Sequence, residues 1–377
     1  MNEGCSDSCR HPRRVVVKVG SNVLTADAGL NIKAIRSISK QICRLMESGL
    51  EILFVSSGAM ASGIRKIGLT RRPEEIPKRQ AIAAVGQAGL IMAYEKAFAR
   101  YQRKVAQILL TSEDLSHRKR YLNARNTLRM LLTWKVVPII NENDTVMVEE
   151  IKLGDNDNLA AMITLLMDAD LLINLTDIDG LFDKDPRRFA DARLIPQVTT
   201  FQRQLEAYAS SIPGALGTGG MLSKIKAARK VTAAGVPMII ARGEKPNILL
   251  RLLAGESHGT YFVPRKERLA SRKCWIAYTL KPKGSIVIDD GAVQAIVNNG
   301  KSLLPSGIVA VQGEFDVGAS VEFKSRQGEI LGNGLVNYGA ADIRMIMGLK
   351  TGQIKDRLGE KPYDEIIHRD NLVLTVG

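Results

Sequence analysis

Five short stretches of the chain carry residue types whose spacing suits chemistry on an anion. The first is Val15-Val-Val-Lys18-Val-Gly20-Ser21-Asn22. A lysine inside an apolar strand is costly unless a partner compensates its charge. Near the carboxyl end of that strand it can meet a bound anion, and Gly20 lets backbone N–H groups approach closely. The second is Phe54-Val-Ser56-Ser57-Gly58-Ala59, a strand end leading into a helix, whose N-terminus suits a carboxylate or phosphate. The third is a polar pair of loops, Asn141-Glu142-Asn143-Asp144 and Gly154-Asp155-Asn156-Asp157-Asn158. So many carboxylates beside a core strand repel one another unless cations occupy the site, whether ammonium groups, Mg²⁺ or a substrate amine. The fourth, Leu175-Thr176-Asp177, ends another strand with two groups that can hydrogen-bond a nucleotide. The fifth, Gly214-Ala-Leu-Gly217-Thr218-Gly219-Gly220-Met221-Leu222-Ser223-Lys224, is a glycine-rich turn opening a helix. Such a turn makes a nest of N–H groups for phosphate, with Lys224 on the first helical turn.

Together two lysines, an Asp-rich loop and a glycine nest fit phosphoryl transfer, which needs spread charge neutralised and partners aligned. The absence of an evident general base is informative, because a carboxylate acceptor is already ionised at pH 7. Neither a Walker A pattern nor GxGxxG occurs at the glycine-rich turn. The acidic run Asp179 to Asp185 lacks the glycine and terminal glutamate of a Ca²⁺ loop. Cys5, Cys9 and His11 lack a fourth zinc ligand, Cys43 and Cys274 read as structural, and His117, His258 and His368 form no interpretable triad. No metal site is assigned to the protein itself.

These motifs need strands and helices to position them. Strands are expected at Val15–Val19, Ile52–Ser56, Val105–Leu110, Val136–Ile140, Leu171–Thr176 and Met238–Ala241, several of them continuous apolar runs. Helical patterns fill the gaps at Ile32–Glu47, Lys78–Arg100, Leu122–Trp134, Leu159–Met167 and Met221–Ala234. Apolar strands alternating with helices predict an α/β protein: a three-layer α/β/α sandwich with a mainly parallel sheet. In such folds ligands bind beyond the carboxyl ends of the strands, where the polar motifs fall. Val263–Lys273 is charged and reads as linker. Beyond it, short strands between glycine-rich turns, with helices at Gly291–Asn298 and Ala341–Met347, predict a small β-rich domain. The expected division is a polar tail at 1–12, a catalytic domain at 13–262, a linker at 263–280, a β-rich domain at 281–358 and an extension at 359–377.

The 377 residues suffice for two domains with full cores, since 45% are hydrophobic and 24% charged. The formal charge of +14 lies in the first 280 residues, because residues 281–377 carry 11 basic and 12 acidic side chains. That distribution speaks for attraction of an anionic ligand to the larger part and against RNA binding by the smaller. No apolar run reaches the roughly 20 residues of a membrane helix. The N-terminus has no secretory apolar core and cysteines are few, so a cytoplasmic location is expected.

The stretches VVVKVGSNVL, VSSGAM, NENDTV, IKLGDNDNLAA, TDIDGLFDKDPR and GTGGMLSKIKAA resemble, in order, the glutamate 5-kinase (γ-glutamyl kinase) family of the amino acid kinase fold. The region from Pro282 to about Arg357, with its DGAVQAIVNNG helix, resembles the PUA domain of bacterial members. The resemblance implies transfer of phosphate from ATP to the γ-carboxylate of L-glutamate, the first step of proline synthesis, with Mg²⁺ bound through the ATP phosphates. It implies that Lys18 and Lys224 stabilise the moving phosphoryl group and that Asp157 holds both. It assigns Ser57, Gly58, Asn141, Asp144, Asp155 and Asn156 to glutamate. It assigns Lys18, Gly20, Thr176, Asp177, Gly217, Thr218, Gly219, Gly220, Met221, Leu222, Ser223 and Lys224 to ATP. Feedback inhibition by proline and assembly into a homodimer or tetramer follow from the same resemblance. The alternatives within the fold are kinases of acetylglutamate, aspartate, carbamate or UMP. A different class, RNA binding through the PUA domain, remains the other alternative.

Overall fold

The computed structural model describes residues 12–26, 29–71, 73–146, 156–201, 205, 220–266 and 271–374. The chain forms two compact units that divide between Arg268 and Leu269.

The first unit is built on an eight-stranded sheet. Its strands are β1 (Arg14–Val19), β2 (Glu51–Ser56), β3 (Val105–Leu110), β4 (Val137–Glu142), β5 (Leu171–Thr176), β6 (Gln197–Val198), β7 (Met238–Arg242) and β8 (Thr260–Phe262). The spatial order is β3-β4-β2-β1-β5-β7-β8-β6. The six strands from β3 to β7 pair in parallel, and only β8 runs antiparallel to its neighbour β7. The helices of six or more residues among those described are α1 (Ile32–Glu47), α2 (Ala59–Ile67), α3 (Ile76–Ala99), α4 (Arg118–Thr133), α5 (Asn156–Leu166), α6 (Met221–Ala233) and α7 (Ile248–Leu253).

Strand alternation decides which residues meet which layer. Val15, Val17 and Val19 of β1 share one core with Ile35, Ile38 and Ile42 of α1 and with Leu90, Tyr94 and Phe98 of α3. Leu171, Ile173 and Leu175 of β5 face the same way. Lys18 and Asn174 therefore point to the opposite face, where the N-terminus of α5 lies. Helix α1 begins where Asn31 accepts a hydrogen bond from the Ala34 N–H at 3.1 Å, satisfying an otherwise orphaned donor. The α/β architecture with a mainly parallel sheet is the one the alternating pattern predicts. The expected strands and long helices lie within a few residues of the observed ones, and α1 matches at both ends. Helix α2 begins where the strand end at Ser56-Ser57-Gly58 is expected to lead into a helix, whereas helix α7 and the short strands β6 and β8 carry too little periodic sequence to be read beforehand.

The second unit holds a five-stranded sheet of β9 (Ser285–Ile288), β10 (Ile308–Gln312), β11 (Ser320–Lys324), β12 (Ile330–Leu335) and β13 (Leu372–Leu374), ordered β10-β9-β11-β12-β13. Its core joins Ile286, Ile288, Val321 and Phe323 to Ile296, Ile343, Ile346 and Ile367. Two expected boundaries differ. Residues Ser271–Tyr278, expected as linker, form helix α8, whose Cys274, Trp275 and Ile276 are buried and which packs on β12 and β13. The preceding charged run hides this helix, because only one turn of it is apolar. Residues 359–377, expected as an extension, contain β13, the edge strand that pairs with β12.

Helices α2 and α3 approach closely enough to require glycine. A Cβ on Gly86 would lie 1.7 Å from the Ala59 carbonyl oxygen and 2.6 Å from the Gly63 nitrogen. Gly86→Ala forces these helices apart and is expected to lower unfolding stability by about 2–3 kcal/mol or more, an overpacking cost. Urea denaturation of the two proteins measures the difference.

Candidate active site

Asp157 lies in the first turn of α5 and is buried to 1% exposure. Its Oδ1 receives the Lys18 ammonium at 2.6 Å and the Asn174 side-chain amide at 2.8 Å. Its Oδ2 receives the Ser223 hydroxyl at 2.5 Å and the Lys224 ammonium at 3.2 Å. Four donors from β1, β5 and α6 thus converge on one carboxylate. Burial alone would push the Asp157 carboxyl up, but the charges of Lys18 and Lys224, with hydrogen bonds from Lys18 and Ser223, hold it well below the usual carboxylate range. The group is an anion at any physiological pH. One anion between two cations leaves a local charge of one positive unit in a nearly water-free place, which suits a phosphoryl group carrying spread negative charge.

The strand ends beside this cluster supply the other polar groups. Gly20 follows β1 directly, and its N–H donates to the Leu175 carbonyl at 2.9 Å. A Cβ there would sit 3.7 Å from the Lys18 ammonium. At the end of β5, Thr176 donates to Asp177 Oδ1 at 3.0 Å, and Asn22 donates to Asp177 Oδ2 at 2.8 Å. Burial would raise the Asp177 carboxyl, but these bonds outweigh it and lower its pKa. Gly220 caps α6, and its carbonyl accepts from Ser223 at 2.8 Å. The Met221 side chain is buried and Leu222 is half-buried.

A second network lies at the ends of β2 and β4. The Asn156 side-chain amide donates to Ser57 Oγ and to Asn141 Oδ1, both at 3.0 Å. Asn141 Oδ1 also accepts the Glu142 N–H at 2.9 Å. The Asn156 Oδ1 atom is buried and finds no hydrogen-bond partner among the described residues. An acceptor left in that state favours a ligand that brings a donor. Gly58 follows Ser57 with φ of 107°, a left-handed backbone that glycine adopts without strain, and it starts α2. Asp144 opens the 3₁₀ turn Asp144–Val146 just past β4 and is half-buried. Asn156 and Asp157 are consecutive, so the two networks adjoin at the start of α5.

Among the expected site residues, the structure brings Lys18, Asp157, Ser223 and Lys224 into one cluster. It brings Ser57, Asn141 and Asn156 into the other. Asp155, Gly217, Thr218 and Gly219 lie outside the described residues. Sequence reasoning gave no role to Asn174 or Asn22. For Asn174 a signal existed: a polar side chain inside the apolar run LLINL, the same signal that singles out Lys18. For Asn22 there was none, because its partner is 155 residues away.

Paired lysines about a buried aspartate, beside the strand ends of a mainly parallel sheet, suit transfer of a phosphoryl group. The model of the amino acid kinase family matches residues 13–242, and that of the PUA domain matches residues 284–358. The chain belongs to the amino acid kinase family. It is 50% identical to the glutamate 5-kinase of Syntrophus aciditrophicus, over 99% of this chain and 97% of the relative. It is 51% identical to the glutamate 5-kinase of Caldanaerobacter subterraneus subsp. tengcongensis over 96% and 97% of the two chains. The glutamate 5-kinase of Geobacter sulfurreducens is 50% identical over 96% and 97%.

Asp157→Asn removes the anion and leaves two ammonium groups buried together. The variant is expected to lose about 3–5 kcal/mol of stability at pH 7, as when one partner of a buried ion pair is deleted. Because the folded carboxyl is depressed, its contribution is complete above the unfolded value near pH 4 and declines as pH falls below it. Urea unfolding of the two proteins should therefore differ most at pH 7, and at pH 3 the difference should be smaller by only about 1 kcal/mol, without vanishing.

Proposed function

We propose that the chain transfers the terminal phosphoryl group of ATP to the γ-carboxylate of L-glutamate, giving ADP and L-glutamyl 5-phosphate. The observation that carries this reading is the buried Asp157 holding Lys18 and Lys224 on its two oxygens. Similarity over nearly the full chain to three glutamate 5-kinases supports the choice of acceptor.

In this reading a γ-carboxylate oxygen attacks the terminal phosphorus, and the bond from that phosphorus to the bridging oxygen of ADP breaks. No proton is removed, because the attacking carboxylate is ionised at neutral pH. Lys18 and Lys224 face the equatorial oxygens of the moving group and offset their charge. Mg²⁺ enters as part of the co-substrate, bound to the ATP phosphates. Thr176, Asp177 and the turn ending at Gly220 and Ser223 line the nucleotide side. Ser57, Gly58, Asn141, Asp144 and Asn156 line the amino-acid side, where Asp144 suits the α-ammonium and the α2 N-terminus a carboxylate. By the same family similarity, proline acts as an inhibitor competing near the glutamate site, the working form is a homodimer or tetramer, and the reaction is cytoplasmic.

The test is an assay with MgATP, glutamate and hydroxylamine, in which the acyl phosphate is trapped as hydroxamate. Product is expected with glutamate; product with acetylglutamate or aspartate instead would move the acceptor within the family. Lys224→Met is expected to lower kcat by roughly 100-fold or more with little change in KM for glutamate, since its charge acts on the transition state. Asp144→Ala should do the reverse, raising KM for glutamate with a smaller effect on kcat.

A further inference from the structure

Strand β5 crosses the centre of the sheet as LLINLT, all six positions buried. Asn174 is the one amide in it, at 0% exposure, directly across from Lys18 on β1. Its Nδ2 donates to Asp157 Oδ1 at 2.8 Å, the oxygen that also holds Lys18. A carboxylate only accepts, so the nitrogen end of the amide must face it. The other end, Oδ1, is buried and has no hydrogen-bond partner among the described residues. An amide serving packing alone would be paired at both ends, because an unmatched buried acceptor is costly. Leucine would fill this place, as it fills the neighbouring ones, with no such penalty. Among the described residues, the hydrogen bond to Asp157 is the only one the Asn174 side chain makes.

We infer that Asn174 is a positioning residue for phosphoryl transfer, orienting the Asp157 carboxylate independently of the two lysines. The inference rests on the kinase reading above. Asn174 on Oδ1 and Ser223 on Oδ2 give each carboxylate oxygen one neutral donor. With both oxygens pinned, the lysines can lean toward the phosphoryl group as charge grows there, and the carboxylate does not rotate after either of them. Without the amide, Oδ1 depends on Lys18 alone. The interaction then weakens at the moment Lys18 is needed elsewhere, so the loss falls on kcat rather than on glutamate binding.

Two variants test this. Asn174→Leu keeps an apolar filling of similar size, and its kcat is expected to fall about 10- to 30-fold with KM for glutamate changed less than about twofold. Asn174→Asp keeps the shape but sets a second carboxyl against Asp157, so one of the two must bind a proton to hold the contact. Its activity should decline as pH rises from 6 to 9, a limb absent from the unsubstituted enzyme. A protonated-carboxyl infrared band should be present at pH 7 without substrate. Unchanged kcat in the leucine variant, or a kcat loss accompanied by a matching rise in KM for glutamate, would overturn the proposal. So would an aspartate variant with an unaltered pH profile and no such band. If the leucine variant does not fold, the aspartate variant decides alone. Failure of the unsubstituted enzyme to form glutamyl hydroxamate would overturn the acceptor assignment instead, and the substrate-free infrared band still judges Asn174.

Discussion

One buried anion organises the catalytic unit. Asp157 is almost wholly buried, so its charge is sustained by the cations and dipoles that surround it. The same constraint works in the other direction, since Lys18 and Lys224 are themselves almost wholly buried and could not sit side by side without it. The result is a charged cluster whose members hold one another in place. Preorganised charge of this kind needs little rearrangement during the reaction, which is where much of an enzyme's rate advantage arises.

The fold supplies that arrangement through strand parity and register. On β1 the odd positions feed the core against α1 and α3, which leaves Lys18 on the face that meets α5. On β5 the same parity turns Asn174 to that face, and pairing of β1 with β5 sets the two opposite each other. A slip of one residue in either strand would bury the polar group among valines and leucines instead. The network of Ser57, Asn141 and Asn156 is fixed in a like manner, by the ends of β2 and β4 lying next to one another in parallel.

Much of this was legible in the sequence because the chemistry needs conspicuous residues. Lys18 stands out in an apolar run, and the Asp-rich and Gly-rich stretches stand out beside strands. The alternating pattern specified the α/β architecture, and the range expected for α1 coincides with a strongly amphipathic helix at both ends. What was not legible depends on neighbours distant in the chain. Asn174 and Asn22 acquire meaning only from partners 17 and 155 residues away. Helix α8 was missed because its charged approach masks a single apolar turn. Short elements of this sort gain their stability from the sheet they join rather than from their own sequence.

That β13 closes the second sheet has a consequence for how the protein is made. Leu372, with Ile366 and Ile367 just before it, belongs to the core that β9 begins to build some eighty residues earlier. During synthesis the growing polypeptide therefore exposes an unfinished apolar surface and a bare strand margin until these late residues emerge. The larger unit has by then left the ribosome with every one of its strands, so the two units order in sequence, and the smaller one is the stage most open to aggregation or chaperone capture.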